Sequence, residues 1–417
     1  MDRRRRWALA ALVAAAVALP GPAVAEDARP TADPGAPTPT APHLGLPPQG
    51  SAPDGRTVGG EALDTRATVV ARGAPALPQG LAANGWLVAD AVTGDVLAAR
   101  DPHGRYYPAS TLKTLTLLTL HPLLDPATVV EGTAEDENVE GSRVGLVQGG
   151  RYPVSLLFEA LILQSGNDAA NALARTAGGV EVTVAAMNET AEDLGAFDTV
   201  AGTPSGLDVA GQSSSPYDLA LIFRAVLADP EAAAVLTVPT ATIPAVEGRS
   251  PGFQIQNQNP LAGTPGNLGG KTGFTDAARH TFVTAAERDG RRLVVSVMDT
   301  ENVPLRAADQ AALLLDWGFA VPAGVAGVGR LVDPAEAAVH LRPAPPPAEP
   351  ERPWPTEVRD DDDATSAADP WPWLPLGLGG LALVAAGGTA VVRRRVTRAV
   401  TAPGGSRSAG GSPSTRR

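Results

Sequence analysis

Ser110 and Lys113 stand three residues apart, a spacing at which a chain can build a nucleophile. On a helix it places both side chains on one face, one turn apart. A serine hydroxyl is a weak nucleophile at neutral pH and needs a base within hydrogen-bond reach. A neutral lysine can be that base; arginine cannot, because its guanidinium keeps its proton. The composition sharpens the point. Of 33 Lys and Arg residues, two are lysine, Lys113 and Lys271. A lysine kept against such a bias suggests work that guanidinium cannot do; chance survival of two surface lysines is the plain alternative. A second cluster, Ser165-Gly166-Asn167-Asp168, offers a hydroxyl and an amide two residues apart. They could relay a proton and hold a carbonyl in one cleft, or serve only as turn and cap residues at a helix junction. A third, Gly269-Gly270-Lys271-Thr272-Gly273-Phe274-Thr275, sets a cation and a hydroxyl among glycines. Glycine in a strand often marks close approach of a ligand backbone, and Lys271 with Thr272 could bind a carboxylate. A glycine-rich turn with a surface lysine is the alternative.

Ser-x-x-Lys, Ser-x-Asn and Lys-Thr-Gly follow one another in that order, and both lysines of the chain fall inside the set. The chain resembles the D-alanyl-D-alanine carboxypeptidase family, the low-molecular-mass serine penicillin-binding proteins, over roughly residues 81–318. Tyr107-Pro108-Ala109-Ser110 is similar to the family's lead-in to its nucleophile. Met187-Asn188, Leu194-Gly195 and Pro204-Ser205-Gly206-Leu207-Asp208 resemble its Met-Asn helix and the loop after it. The resemblance implies an α/β (α+β) fold of β-lactamase/transpeptidase type: an antiparallel sheet flanked by helices, beside a helical subdomain. It implies Ser110 as nucleophile, Lys113 as general base and Ser165 as proton relay. Asn167, Lys271, Thr272 and Gly273 would bind substrate, and the Phe274 backbone N–H would donate to the oxyanion with that of Ser110. The implied partners are peptidoglycan stem peptides ending in D-Ala-D-Ala and acylating β-lactams, with no metal or organic cofactor.

Some features depart from that family. Only about Pro322 to Arg342 follows the last expected helix, too little for the β-rich domain that many members carry, which needs room for several strands. A β-lactamase shares the nucleophile but usually has Ser-Asp-Asn as its second motif and a deacylating Glu; Gly166 occupies the middle position here. A DD-endopeptidase and a penicillin sensor without turnover remain as alternatives.

The elements that must position these residues begin near Leu81. Trp86–Asp90 and Val96–Ala98 read as paired strands across Thr93-Gly94. Helical patterns follow over 110–120, 154–165, 168–176, 182–194 and 216–227. Strands over 281–287 and 293–298 flank the turn Asp289-Gly290, and a helix covers 305–317. Strands from both ends with helices between predict one mixed sheet. Around this domain, 76–342, the sequence reads as non-globular. Residues 1–25 have the charged start, apolar run and Ala23-Val24-Ala25 of a signal peptide. Residues 26–75 read as a Pro/Ala-rich flexible linker with one short strand near 68–71, and 343–371 as a Pro-rich acidic stalk. Residues 372–392 are apolar and uncharged for about 20 residues, the length of a transmembrane helix across the lipid bilayer. The tail 393–417 opens with four arginines in six positions, which the positive-inside rule places in the cytoplasm. The catalytic domain is thus expected outside a single-pass anchor at the cell membrane.

A net charge of -12 argues against nucleic acid, which demands clustered cations. With no cysteine, disulfides and thiolate metal sites are excluded, and the five histidines show no metal-ligand spacing.

Overall fold

The computed structural model describes residues 39–42, 45 and 47–341. Along the chain, β1 (Thr68–Val70) and the hairpin β2 (Gly85–Asp90) and β3 (Asp95–Arg100) come first. A 3-10 turn, Ala109–Leu112, leads into α1 (Lys113–Leu120). Next come β4 (Val129–Glu131), α2 (Ala134–Glu137), β5 (Arg151–Pro153), α3 (Val154–Leu163), α4 (Asn167–Thr176) and α5 (Val180–Leu194). After α6 (Pro216–Ala228) and α7 (Pro230–Thr237) lies a small hairpin, β6 (Thr240–Ile243) and β7 (Phe253–Gln256). The long strands β8 (Asn267–Thr275), β9 (Arg279–Arg288) and β10 (Arg291–Thr300) precede α8 (Ala307–Ala320), β11 (Gly329–Arg330) and α9 (Pro334–His340).

The main sheet runs β1-β3-β2-β10-β9-β8, with β11 also paired to β3, and every pairing is antiparallel. The Asp289-Gly290 turn joins β9 to β10 with positive φ at both residues, 51° and 76°, the twist a tight hairpin needs. Successive side chains of β2 part to opposite faces, as strand geometry requires. Leu87 and Ala89 join the core under α1, α3, α4 and α6. Trp86 and Val88 join a second core with Leu314, Leu315 and Trp317 of α8. All six residues of β2 are buried, as expected of a strand covered on both faces. The result is three layers: α8, the sheet, and the helical subdomain.

The expected elements of the catalytic domain are present, with one boundary to correct. The 26–75 segment is not a free linker over its second half. Ala52, Val58 and Leu63 are buried, Glu61–Leu63 forms a 3-10 turn, and Thr68–Val70 is β1. Its apolar residues are too sparse to show periodicity, and their burial comes from long-range packing. Gly50 N–H donates to His103 O at 2.9 Å, and Arg105 N–H to Pro48 O at 2.9 Å. At the other end α9 packs on α5, where Gly195 leaves room for Ala337. Among the described residues no helix is long and apolar enough to cross a membrane. The expected signal peptide, stalk, span (372–392) and tail lie outside them.

Candidate active site

Ser110 lies in the 3-10 turn, not in an α-helix as its spacing suggested; there i and i+3 side chains eclipse. Lys113, the first residue of α1, is fully buried, and its Nζ is 3.1 Å from Ser110 Oγ. Two shorter contacts hold the same nitrogen: Asn167 Oδ1 at 2.7 Å and Ser205 O at 2.6 Å. A neutral amine has two N–H donors and one lone pair. The two short contacts take the donors, which leaves the lone pair for the Ser110 hydroxyl. Burial, then the nearby charge of Lys271, pushes the Lys113 pKa well below its ordinary 10.5, against a weaker opposing pull from Asp168.

Backbone geometry fixes the turn. Ala109 adopts φ 47°, and Gly206 (φ 82°) lies against it so closely that a Cβ there would meet Ala109 O at 2.0 Å. Pro108 O accepts from Thr111 Oγ1 at 2.6 Å and from Thr281 Oγ1 of β9 at 2.9 Å, tying the nucleophile's turn to the sheet. On β8, a Cβ at Gly273 would stand 2.9 Å from Ser110 N and 3.0 Å from Thr111 N. Only glycine lets the strand come this near, so the close approach the sequence suggested for a ligand is made here by the chain's own Ser110 turn. The same approach brings the third motif to the first.

Ser165 ends the α3 connection with φ 60°, and its Oγ is buried with no hydrogen-bond partner. A buried orphan hydroxyl is costly unless something else comes to meet it. Asn167 opens α4, and its Nδ2 donates to Glu140 O at 2.7 Å, which leaves Oδ1 facing Lys113. Lys271 is 2% exposed, and burial lowers its pKa to about 7. Its Nζ donates to Thr272 O at 2.9 Å. Phe274 is half exposed, stacked on His280 at 4.5 Å with the Arg279 guanidinium 5.5 Å from its ring. All three motifs thus meet around the Ser110 turn.

Three groups escaped sequence reasoning. Ser205 contributes through its carbonyl, which residue type does not reveal. Asp168 accepts from Val144, Gly145 and Leu146 N–H at 2.8–3.0 Å and shapes the loop beside the site. Asp208 accepts from Thr275 Oγ1 at 2.9 Å, linking the Ser205 loop to β8.

A family model for D-alanyl-D-alanine carboxypeptidases matches residues 71–302, more than half the chain. The chain belongs to the D-alanyl-D-alanine carboxypeptidase family. It is 46% identical over 261 residues to the D-alanyl-D-alanine carboxypeptidase DacB2 of Mycobacterium tuberculosis, covering 61% of this chain and 88% of that one. The DacD carboxypeptidases of Salmonella typhimurium and Escherichia coli are 35% and 34% identical; the match covers 58% of this chain and spans 64% of their length. A crystal structure of a D-alanyl-D-alanine carboxypeptidase from M. tuberculosis superposes with TM-score 0.60 at 44% identity, over 63% of this chain and all of that one. The Streptomyces K15 DD-transpeptidase superposes with TM-score 0.56 at 25% identity, over 59% of this chain and all of that one. The carboxypeptidase fold is α/β, an antiparallel sheet with helices, and the chain is a serine hydrolase.

Proposed function

We propose that the chain removes the terminal D-alanine from peptidoglycan stem peptides through an acyl-enzyme on Ser110. The observation that carries this reading is the Lys113 amine, buried and depressed in pKa, with Asn167 Oδ1 and Ser205 O placed to take its two donors and Ser110 Oγ 3.1 Å from the same nitrogen. Lys113 takes the Ser110 proton as Oγ attacks the carbonyl between the two D-alanines. The oxyanion forms between the Ser110 and Phe274 N–H groups, which the close approach at Gly273 supports. Ser165 Oγ, otherwise without a partner, passes a proton to the departing amine. Lys271 and Thr272 receive the terminal carboxylate, whose charge draws Lys271 toward its protonated form. Asn167 holds the stem peptide. Water then hydrolyses the ester, and Ser110 regains its proton. A β-lactam would acylate Ser110 by the same route.

The sequence supports an extracytoplasmic setting: a signal peptide over 1–25, and a stalk and span over 343–392 that would tether the domain to the membrane.

The test uses the full chain, because a fragment starting at 76 would lose β1 and the buried Val58 and Leu63. Incubated with a peptide ending in D-Ala-D-Ala, the wild type should release D-alanine and Ser110→Ala should not. Penicillin labelling of Ser110 without D-alanine release would point to an endopeptidase or a sensor. Absence of both would remove the site assignment.

A further inference from the structure

The small β6–β7 hairpin stands apart from the main sheet, and no step of the proposed reaction uses it. Its tip nevertheless reaches the loop that holds Asn167. Arg249 Nη2 donates to both carboxylate oxygens of Glu137, at 2.7 and 2.6 Å. Glu137 in turn closes the loop on itself: its Oε2 accepts from Gln148 N–H at 2.9 Å, and its carbonyl accepts from Arg143 Nη1 at 2.7 Å. Within that closure Glu140 O accepts from Asn167 Nδ2, and Ser142 O accepts from Asn167 N–H, both at 2.7 Å. A second contact comes from Phe253 of β7. A Cβ on Gly145 (φ 92°) would lie 3.1 Å from its Cζ, so the ring rests directly on the loop backbone. The hairpin's other end is fixed beside the site, where Gln258 N–H donates to Leu163 O at the end of α3.

We propose that Arg249 is a positioning residue for the Ser110 reaction: by clamping Glu137 it holds loop 137–148 in the shape that turns the Asn167 amide oxygen toward Lys113. The inference rests on the reading of Ser110, Lys113 and Asn167 given above. An amide left free to rotate can present its nitrogen to Lys113 in place of its oxygen. Lys113 then loses one of the two acceptors that leave its lone pair directed at Ser110. The Arg249 clamp is partly exposed, so it should add little to the stability of the fold, whereas the direction of one amide should depend on it.

The experiment measures acylation of the full chain by a fluorescent penicillin, and D-alanine release, for wild type, Arg249→Met and Arg249→Lys. Arg249→Met should lower kcat/KM for both by about fivefold at low salt, the reach of a well-formed exposed pair. The loss should fall on the acylation rate, with the thermal midpoint close to that of the wild type. Arg249→Lys should recover part of it, and raising the salt should narrow the gap between wild type and Arg249→Met. Wild-type rates in Arg249→Met would remove the proposal. So would a loss fully explained by fewer penicillin-titratable molecules, which would make the hairpin a stabiliser only. In either case D-alanine release by wild type and its loss in Ser110→Ala would leave the site itself standing.

Discussion

Lys113 and Lys271 are buried close together and held by neutral oxygens: an amide, two carbonyls and a hydroxyl. Asp198 and Asp218 are also buried side by side, but their surroundings differ. Asp198 pairs with His103 Nδ1 at 2.8 Å and lies 3.4 Å from Arg105 Nε. Asp218 Oδ2 accepts from Thr199 Oγ1 and from Asp198 N–H, each at 2.8 Å. Burial opposes charge on His103, but the hydrogen bond and charge of Asp198 raise its pKa. Burial, then the charge of Asp198, raises that of Asp218. The acid cluster joins the amino-terminal segment, through Val58 O on His103 Nε2, to the start of α6. The lysine pair joins nothing of that kind. Burial lowers the pKa of both, so the pair favours neutral amines, and under the proposed reaction the substrate carboxylate would be the anion that Lys271 lacks. Buried acids beside a buried histidine tie distant segments of this fold together, whereas the two buried lysines have only neutral hydrogen-bond partners.

The sharpest break in that comparison comes from Lys113→Arg. Charge is kept and the neutral base is lost, so penicillin acylation should fall by on the order of 10³-fold. Rapid labelling of the variant would end the assignment of Lys113 as base. In the acid cluster, Asp198→Asn should cost about 3–5 kcal/mol of stability, since it removes the carboxylate paired with buried His103. Urea unfolding measures this, and activity per penicillin-titrated molecule should change little. If activity fell as steeply as stability, the two regions would not be separable.

The clusters also differ in the sign of their pH dependence. Lys271 has a folded pKa of about 7, below its unfolded value of 10.5. Between these pH values the unfolded chain binds more protons, so stability rises with pH. The stability gap between wild type and Lys271→Met should therefore move by about 2 kcal/mol in favour of wild type from pH 7 to pH 9. Asp218 acts in the opposite sense at lower pH. Its folded pKa is raised above 3.8, so its contribution is full below that value and is lost as pH rises through the folded pKa. Asp218→Asn should flatten that slope in denaturation measured across the acid range. The smallest effect is expected between site and sheet: Thr281→Val, which removes the bond to Pro108 O, should cost about 1 kcal/mol. A much larger loss of acylation would show that the turn bearing Ser110 depends on β9 more than the hydrogen bond suggests.

Spacing and residue type made much of the site legible. Two lysines in an arginine-rich chain, one three residues after Ser110 and the other between Gly270 and Thr272, are local facts, and the structure draws their motifs together. The strands β9 and β10 and the longer helices were equally readable because their apolar patterns are strong, whereas glycine-rich β8 shows no such period. What escaped depends on partners distant in sequence. Ser205 and Glu140 act through carbonyls, which every residue has. Asp168 looks like an ordinary first-turn acid until Val144 to Leu146 fold over it. The hairpin of β6 and β7 has short strands with mixed exposure, too brief for a period to show. Val58 and Leu63 are single apolar residues in a Pro- and Gly-rich stretch, and nothing local announces that they are buried.

Both lysines of the chain are sealed at the site, 0% and 2% exposed, and every other basic side chain that is not histidine is arginine. For chemistry in solution this is an unusual surface. Reagents that seek side-chain amines, such as succinimidyl esters, acetylating agents and cyanate, find no exposed lysine to modify. Any side-chain amine they label in the native protein must be one that the cleft has let them reach.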